Sequence, residues 1–431
     1  MRKKISKSTK KSKAKKTQVA RNPEASVDEL LAAADAAITA LDVEKAIKLY
    51  SKAAGLLRMG RISSTGTREQ DLIQVLEKMG ESKVSVGDQD GAKQDFQEAL
   101  QLLDQEKDQN VAYYEARSSL LFYVGQLCMA DEALEAYRQG VTSLESCLAF
   151  LSNNSVDHME EDNNINQKLI PELRRKLAGA YCTMAELYLT DLCYETNAET
   201  ECEVYLEKAL QIKDTDGEPV VDALQTMASL RLSQESRRVE AVPFILRAYD
   251  KMRVGSEALA ALVGLGEQET DPESSEEQAL ELKEVDAANN LPEFEFRCQT
   301  AKLLLECASV LKASQQASEL TKNDAELCLS ASISVLGSLL AQNDEVVEIW
   351  FLTGCAFSAK NPPVIDSAIF YFQRSMEMLT NIKNALKQEA EYATEVEKED
   401  IEDQLQENQI QIEDVRAKLD ELDNFSPKME E

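Results

Sequence analysis

The chain has 431 residues, with 47 Lys and Arg against 78 Asp and Glu, so its formal charge is −31. An excess of one sign on this scale repels phosphates, so we expect no direct nucleic-acid partner. The only histidine is His158, which excludes zinc sites that need two histidines. No phosphate-binding G-x-x-x-x-G-K-[ST] loop occurs, and the many carboxylates single out no acid–base pair. We expect a non-enzymatic protein without catalytic residues, metal or cofactor.

The composition favours helix nearly throughout, because Pro (9) and Gly (15) are scarce and helix-forming residues are abundant. No stretch approaches the ~18 apolar residues needed to span a bilayer, so we expect no membrane partner. Residues 1–22 lack the apolar core of a signal peptide. We therefore expect a soluble, intracellular protein.

Residues 1–22 are the first segment and carry ten Lys or Arg and no acid. The rest of the chain then has 37 basic against 78 acidic residues, or −41 over 409 residues. A segment with nothing to bury is expected to be disordered. Its basic residues favour a nuclear-import sequence that binds an import receptor, and hence a protein of cytoplasm and nucleus. A merely solvated tail is the alternative.

An internal repeat follows the tail. Six segments place a small, a large and a small residue at a 4-then-3 spacing, with a few substitutions: Ala46-Tyr50-Ala53, Ala92-Phe96-Ala99, Ala133-Tyr137-Gly140, Cys202-Leu206-Ala209, Ala241-Ile245-Ala248 and Ala368-Phe372-Ser375. These three positions share one face of a helix, where small residues let two helices approach around one large side chain. The series therefore predicts the second helices of repeated helix hairpins.

The first helix of the repeat is clearest near the C-terminus, where Trp350, Gly354 and Phe357 follow one another at spacings of four and three. An earlier unit keeps the glycine as Gly80. This pattern resembles the tetratricopeptide-repeat family over residues 27–380. The resemblance implies an all-α fold, a right-handed superhelix of helix hairpins whose first helices line the concave face.

Three other segments interrupt or follow the repeats. Residues 152–168, with His158, are polar and predict a loop, and residues 267–287 carry nine acids and one Lys, which predicts a flexible acidic loop. Residues 381–424 predict an acidic C-terminal helix, and residues 425–431 a tail. This helix has an a/d seam formed by Ile401, Leu405, Asn408, Ile412, Val415, Leu419 and Leu422. We expect it to cap a monomeric array, with a dimeric coiled coil as the alternative.

The charge of the predicted binding surface follows from the residues at the groove positions of the first helices. In the predicted register these positions are acidic: Asp28, Asp35, Glu77, Glu81, Glu115, Asp191 and Glu348. A clamp for acidic peptide tails would instead need Lys, Arg and Asn there. We therefore predict a groove that rejects acidic tails and binds an extended basic segment.

The Lys-rich first segment, the degenerate acidic repeats and residues 348–375 together resemble the fungal assembly chaperones dedicated to large-subunit ribosomal protein four. The resemblance implies a chaperone that binds this newly made basic protein through its extended internal loop and delivers it to nuclear pre-ribosomes. An acidic histone chaperone, with residues 267–287 on histone tails, is the alternative. A generic scaffold without a preferred basic client is the third interpretation.

Overall fold

The computed structural model of the chain describes residues 25–61, 67–106, 108–154, 160–265, 287–314 and 319–423. The structure is 82% helical, and no β-strand occurs in these ranges. Their α-helices are α1 Val27–Thr39, α2 Val43–Arg58, α3 Arg68–Ser85, α4 Gln89–Leu103, α5 Val111–Gln126, α6 Ala130–Asn154, α7 Glu160–Leu189, α8 Ala198–Gln211, α9 Val221–Ser233, α10 Ala241–Leu262, α11 Phe294–Ala313, α12 Glu319–Gln342, α13 Val347–Ala359, α14 Ile365–Ala390 and α15 Glu395–Asp423.

Several predicted segments lie outside the described residues. These are the basic tail 1–22, the surroundings of His158, residues 267–286 of the acidic loop and the tail 425–431. The expectations for them stay predictions. The predicted loop 152–168 is shorter than expected, because α6 ends at Asn154 and α7 begins at Glu160.

The chain forms two compact units, residues 1–150 and 151–431. In unit 1, helices α1 to α6 pair in order as three hairpins. In unit 2, helices α7 to α14 pair as four hairpins, and α15 packs against α14. The predicted all-α, tetratricopeptide-like fold is confirmed. The sequence pattern gave no sign of the division near residue 150.

Short polar side chains start the helices of unit 1. The Ser26 Oγ accepts from the Glu29 N–H at 3.2 Å, and the Glu29 carboxylate accepts from the Ser26 N–H at 2.8 Å. Single side-chain caps begin α2 to α5 in the same way: Asp42, Thr67, Asp88 and Asn110. Each cap satisfies a backbone N–H that has no partner within the helix, so the short connections between helices are fixed locally.

The six predicted triplets are buried on second helices. They lie on α2, α4, α6, α8, α10 and α14, and the large residues Tyr50, Phe96 and Phe372 are among the most buried side chains of the described residues. The small residues on either side leave room for the neighbouring helix. The second-helix positions predicted from the 4-then-3 spacing are therefore confirmed.

A glycine of the first helix touches the large side chain of the second helix in three hairpins: Gly80 with Phe96, Gly125 with Tyr137 and Gly354 with Phe372. A Cβ added at Gly80 would lie 2.5 Å from the Phe96 ring, which is inside van der Waals contact. The helix backbone thus rests directly on the aromatic ring. This contact fixes how closely the two helices of a hairpin approach each other.

The apolar seam of α15 packs against α14 of the same chain. Its buried members are Ile401, Asn408, Ile412, Val415 and Leu422. Three of them, Ile412, Val415 and Leu422, join Phe372 and Leu379 in one core cluster. The seam is therefore covered within unit 2, and capping of a monomeric array stays a prediction. The predicted helix over 381–424 is divided, because α14 continues to residue 390 and α15 begins at 395.

The hairpin of α11 and α12 carries no repeat signature, so the repeat pattern did not predict it. Its segment Thr321–Gln342 has a mean hydropathy of 1.4, so the expectation that no stretch approaches the length and apolarity of a membrane span is wrong by this measure. However, 72% of its most apolar window is buried inside the protein. Leu329, Leu336 and Leu339 lie fully in the core, which is the behaviour of a helix apolar on all sides.

Gly80→Ala and Gly354→Ala should each lower the free energy of unfolding by about 1–3 kcal/mol, because the added methyl group must displace an aromatic ring. Gly55→Ala is the matched control, since Gly55 lies within α2 and its added Cβ would meet nothing within 4 Å. That change should be neutral or stabilising by up to ~1 kcal/mol. Urea unfolding of the three variants measures both effects, and equal stability of all three would contradict the packing argument.

Candidate functional site

The first helices of unit 1 contact one another through charged and aromatic side chains. Lys78 on α3 reaches Asp35 on α1, and its Nζ lies 2.9 and 3.1 Å from the two carboxylate oxygens. Tyr123 on α5 donates its hydroxyl hydrogen to Glu81 on α3. These contacts join α1, α3 and α5 along one surface. We call it the first-helix face of unit 1, formed by Asp35, Glu77, Lys78, Glu81 and Tyr123.

Asp35 is bound within the chain. Besides Lys78, the Tyr50 hydroxyl donates to it at 2.6 Å. Burial alone would raise the pKa of Asp35, but the hydrogen bonds from Tyr50 and Lys78 and the charge of Lys78 hold it below the ordinary value of 3.8. Asp35 is therefore ionised but already paired with a base. The sequence prediction placed Asp35 in the groove without its partner Lys78.

Glu77 and Glu81 lie one turn apart on α3, as predicted. Glu77 is half-buried, and burial together with the charge of Glu81 raises its pKa. Tyr123 stacks on Phe96 with ring centroids 4.8 Å apart and planes 9° apart, which holds its hydroxyl toward Glu81. Burial and the bond to Glu81 also raise the pKa of Tyr123, so the phenol stays a neutral donor. A cation between the two carboxylates would relieve their repulsion.

The other predicted groove residues do not join this pair. Asp28 and Glu115 are half-buried and interact with other groups of the chain. In unit 2, Glu348 forms an ion pair with Lys302, with Nζ and Oε1 2.8 Å apart. Asp191 lies in the turn after α7 and not on its helical face. Of the predicted groove residues, only Glu77 and Glu81 lie together on one surface. Among the described residues, neither is paired with a Lys or Arg side chain.

Unit 2 contains an acidic pair that the sequence analysis missed. Glu186 on α7 and Asp222 on α9 are both open to solvent. The Thr226 hydroxyl on α9 donates to the Glu186 Oε1 at 3.3 Å, which links the two first helices. Burial raises the pKa of both acids, and the charge of Asp222 raises that of Glu186 further. Each carboxylate thus reaches solvent but is surrounded by protein atoms, which makes its charged form less favourable. If the predicted repeat register began five residues earlier on α7, the predicted groove residue would be Glu186 and not Asp191.

These carboxylates share a simple chemistry. They accept N–H donors, and the two pairs, Glu77 with Glu81 and Glu186 with Asp222, hold negative charge where burial makes it unfavourable. Among the described residues, no group of three His, Cys, Asp or Glu side chains is placed to hold a metal ion. The geometry is suited to binding Lys and Arg side chains of a partner.

Comparison with known proteins gives one similar curated sequence. Over 287 residues the chain is 27% identical to the "Probable assembly chaperone of rpl4" of Schizosaccharomyces pombe. The alignment covers 66% of this chain and 64% of the relative. The chain is similar to an assembly chaperone of a ribosomal protein. The expectation of a non-enzymatic protein agrees with this relative, which is a chaperone.

Many solved structures are also similar to this chain, two of which follow. A structure of the assembly chaperone of RpL4, Acl4, is 23% identical with a TM-score of 0.49 and covers 77% of this chain and 95% of that one. The structure of Nro1, described as a nuclear import adaptor, is 14% identical with a TM-score of 0.41 and covers 79% of this chain and 95% of that one. No family model matches the chain.

Replacing Glu186 by Gln together with Asp222 by Asn should raise the melting temperature at pH 7. Both acids have raised pKa values in the folded protein, so the cost of their charge is fully present above those values and disappears as the pH falls toward the ordinary values of 4.5 and 3.8. The gain should therefore vanish at low pH. Thermal unfolding followed by circular dichroism from pH 4 to pH 8 measures it.

Glu203→Gln is the control of opposite sign. Hydrogen bonds from Arg231 and Arg237 hold the pKa of Glu203 below its ordinary value. Its charge therefore stabilises the fold above pH 4.5, and that stabilisation is lost as the pH falls through the folded pKa. This variant should melt at a lower temperature than the wild type at pH 7. The same sign for both replacements would contradict the assignment.

Proposed function

We propose that the chain is a dedicated chaperone for a newly made basic ribosomal protein, large-subunit protein four. It binds this client through the client's extended internal loop and delivers it to nuclear pre-ribosomes. The observation that carries the proposal is the 27% identity over 287 residues to the probable assembly chaperone of rpl4. The acidic pairs of the first helices support it, because they offer sites for a basic segment.

The charge balance gives the proposal a physical basis. A ribosomal protein away from the ribosome exposes Lys- and Arg-rich extensions that bind RNA nonspecifically. Carboxylates such as Glu77 and Glu81 take the place of the rRNA phosphates. A single exposed ion pair contributes only ~0.2–1 kcal/mol to the binding free energy. A nanomolar Kd corresponds to a binding free energy of about 12 kcal/mol, so several such pairs are needed. The client is released when rRNA competes with a denser array of charge.

The first-helix face of unit 1 is the proposed contact surface. Asp28, Asp35, Glu115, Asp191 and Glu348 remain proposed as peripheral contacts that add to the negative field. Two of them, Asp35 and Glu348, already have a Lys partner within the chain and would have to exchange it. Such an exchange gains little free energy, because one ion pair replaces another. Glu77 and Glu81 are therefore proposed as the main contacts in this unit.

Replacing both Glu77 and Glu81 by Lys should weaken binding of a Lys- and Arg-rich loop peptide by at least about fivefold, or ~1 kcal/mol, because attraction becomes repulsion at two adjacent positions. The matched control replaces Asp131 and Glu135 by Lys, the same change of charge one turn apart on the second helix α6, where both side chains are exposed. Titration calorimetry compares the two variants. An equal loss in both would show a general effect of net charge and contradict a local site.

Salt separates charge attraction from misfolding in the same experiment. Raising the ionic strength from ~0.05 to ~0.5 M shortens the Debye length from about 14 to about 4 Å. Wild-type affinity should fall, and the two variants should converge toward it. A variant that stays weaker by the same factor at high salt would point to a damaged fold.

The histone-chaperone alternative is tested by a third variant. Glu276→Lys with Glu277→Lys changes the acidic segment that lies outside the described residues. If this variant loses binding to basic segments and the Glu77/Glu81 variant does not, the acidic segment is the binding site and the histone interpretation gains. No observation on the described residues favours that alternative.

Deleting residues 1–22 should reduce nuclear accumulation and leave client binding intact. The motive is ten positive charges on a segment with hardly any apolar side chain to pack, which fits an import receptor. Fluorescence microscopy of the tagged full-length and shortened chains measures the distribution between cytoplasm and nucleus. A shortened chain that stays fully nuclear would contradict an import role for this segment.

A further inference from the structure

A cluster of three aromatic rings lies in unit 2, outside the acidic pairs, and one of the three is exposed. Trp350 on α13 faces Phe370 and Tyr371 on α14, with ring centroids 6.3 and 5.6 Å apart. Phe370 is 58% exposed although it belongs to this cluster. Phe370 adjoins two further aromatic rings, so its exposed face is part of a cluster and not an isolated surface residue.

A pocket of about 410 Å³ adjoins these rings. Its apolar wall comes from Val263 at the end of α10 and from Leu340 and Ala341 at the end of α12. Trp350 and Phe370 line another side. The pocket therefore combines an aliphatic wall with aromatic faces, a surface that suits the stem of a long side chain.

The rim of the pocket is acidic. Asp344 lines it, and its backbone oxygen accepts the Trp350 indole N–H at 2.8 Å, which fixes the indole next to the acid. The Asp344 carboxylate is exposed and has no partner among the described residues, and the next residue, Glu345, is also exposed. The pocket thus offers a carboxylate beside aromatic rings, which is complementary to a cation with an aliphatic stem.

One of these rings already contacts a cation of the chain. The guanidinium of Arg374 lies over the Trp350 ring, 5.7 Å from its centroid, and is paired with Glu377 at 2.7 Å. A planar guanidinium stacks on an aromatic face and binds a carboxylate at the same time, which an ammonium does less well. The contact of Arg374 is thus an intramolecular example of the chemistry that the pocket offers at Phe370 and Asp344.

We infer that this pocket binds an arginine side chain of the basic client segment, with its stem against Leu340 and Val263, its guanidinium at Phe370 and its charge on Asp344. The inference rests on the proposed function, because it assigns a second contact to the same basic partner. It adds a contact that selects arginine over other cations, whereas the acidic pairs accept any cation. The pocket is defined by residues of unit 2 alone.

Trp350 is the only tryptophan of the chain, so its fluorescence reports on the pocket in the full-length protein. The probe is a short tryptophan-free peptide of alternating arginine and glycine, and its control is the same peptide with citrulline in place of arginine, which keeps the shape and removes the charge. The arginine peptide should change the Trp350 emission in a saturable way, and the citrulline peptide should not. Equal responses to both peptides would overturn the inference.

Two variants locate the response. Asp344→Asn and Phe370→Ala should each weaken the arginine response by about threefold to tenfold, because one removes the counter-charge and the other an aromatic face. Tyr392→Ala is the matched control, since Tyr392 is 89% exposed in the turn after α14 and does not line the pocket. Unchanged affinity of both pocket variants would overturn the inference, and circular dichroism verifies that all three fold.

The variant with Lys at positions 77 and 81 separates this inference from the proposed function. It should keep the Trp350 response to the arginine peptide while losing affinity for the client loop measured by calorimetry. If the wild-type chain binds the client and the pocket variants bind it with the same affinity, the inference fails and the proposed function stands. If the client does not bind the wild type, the proposed function fails, whatever the peptide does.

An emission change on dilution without peptide would assign the pocket to a second copy and overturn the inference.

Discussion

The close approach of two helices around one large side chain determines the rest of the structure. Where Gly80 rests on Phe96 and Gly354 on Phe372, the backbone of the first helix is held at the surface of an aromatic ring. A helix fixed at this distance presents its other faces at a defined height and rotation. The position of Glu81, the residue after Gly80, therefore depends on this packing as well as on its hydrogen bond from Tyr123.

The acidic pairs oppose the stability that this packing provides. Burial raises the pKa of Glu77, Glu186 and Asp222, which means that their charged forms are less stable in the folded chain than in water. A fold selected only for stability would place neutral residues there. Charges kept at such positions are instead typical of binding surfaces, where a partner supplies the missing counter-charge.

Repeat spacing made the hairpins predictable, because the triplet containing Ala92, Phe96 and Ala99 reflects contacts between helices close in sequence. The hairpin of α11 and α12 was not predictable in this way, since α12 is buried on nearly all sides and keeps no small-large-small pattern. The acidic face was predicted only in part. Glu77 and Glu81 share one helix, but the pairing of Asp35 with Lys78 joins different hairpins and depends on their mutual rotation, which residue spacing does not encode.

Charge and aromatic surface contribute different properties to recognition of a basic segment. Carboxylate pairs such as Glu77 with Glu81 attract at long range, tolerate Lys or Arg, and weaken with salt. An aromatic pocket acts only on contact, distinguishes a guanidinium from an ammonium, and depends less on ionic strength. A chaperone with acidic pairs alone would bind any basic protein in the cell. An additional contact at Trp350 and Phe370 would discriminate among them, because a basic segment then has to place an arginine at the pocket while its other cations engage the acidic pairs.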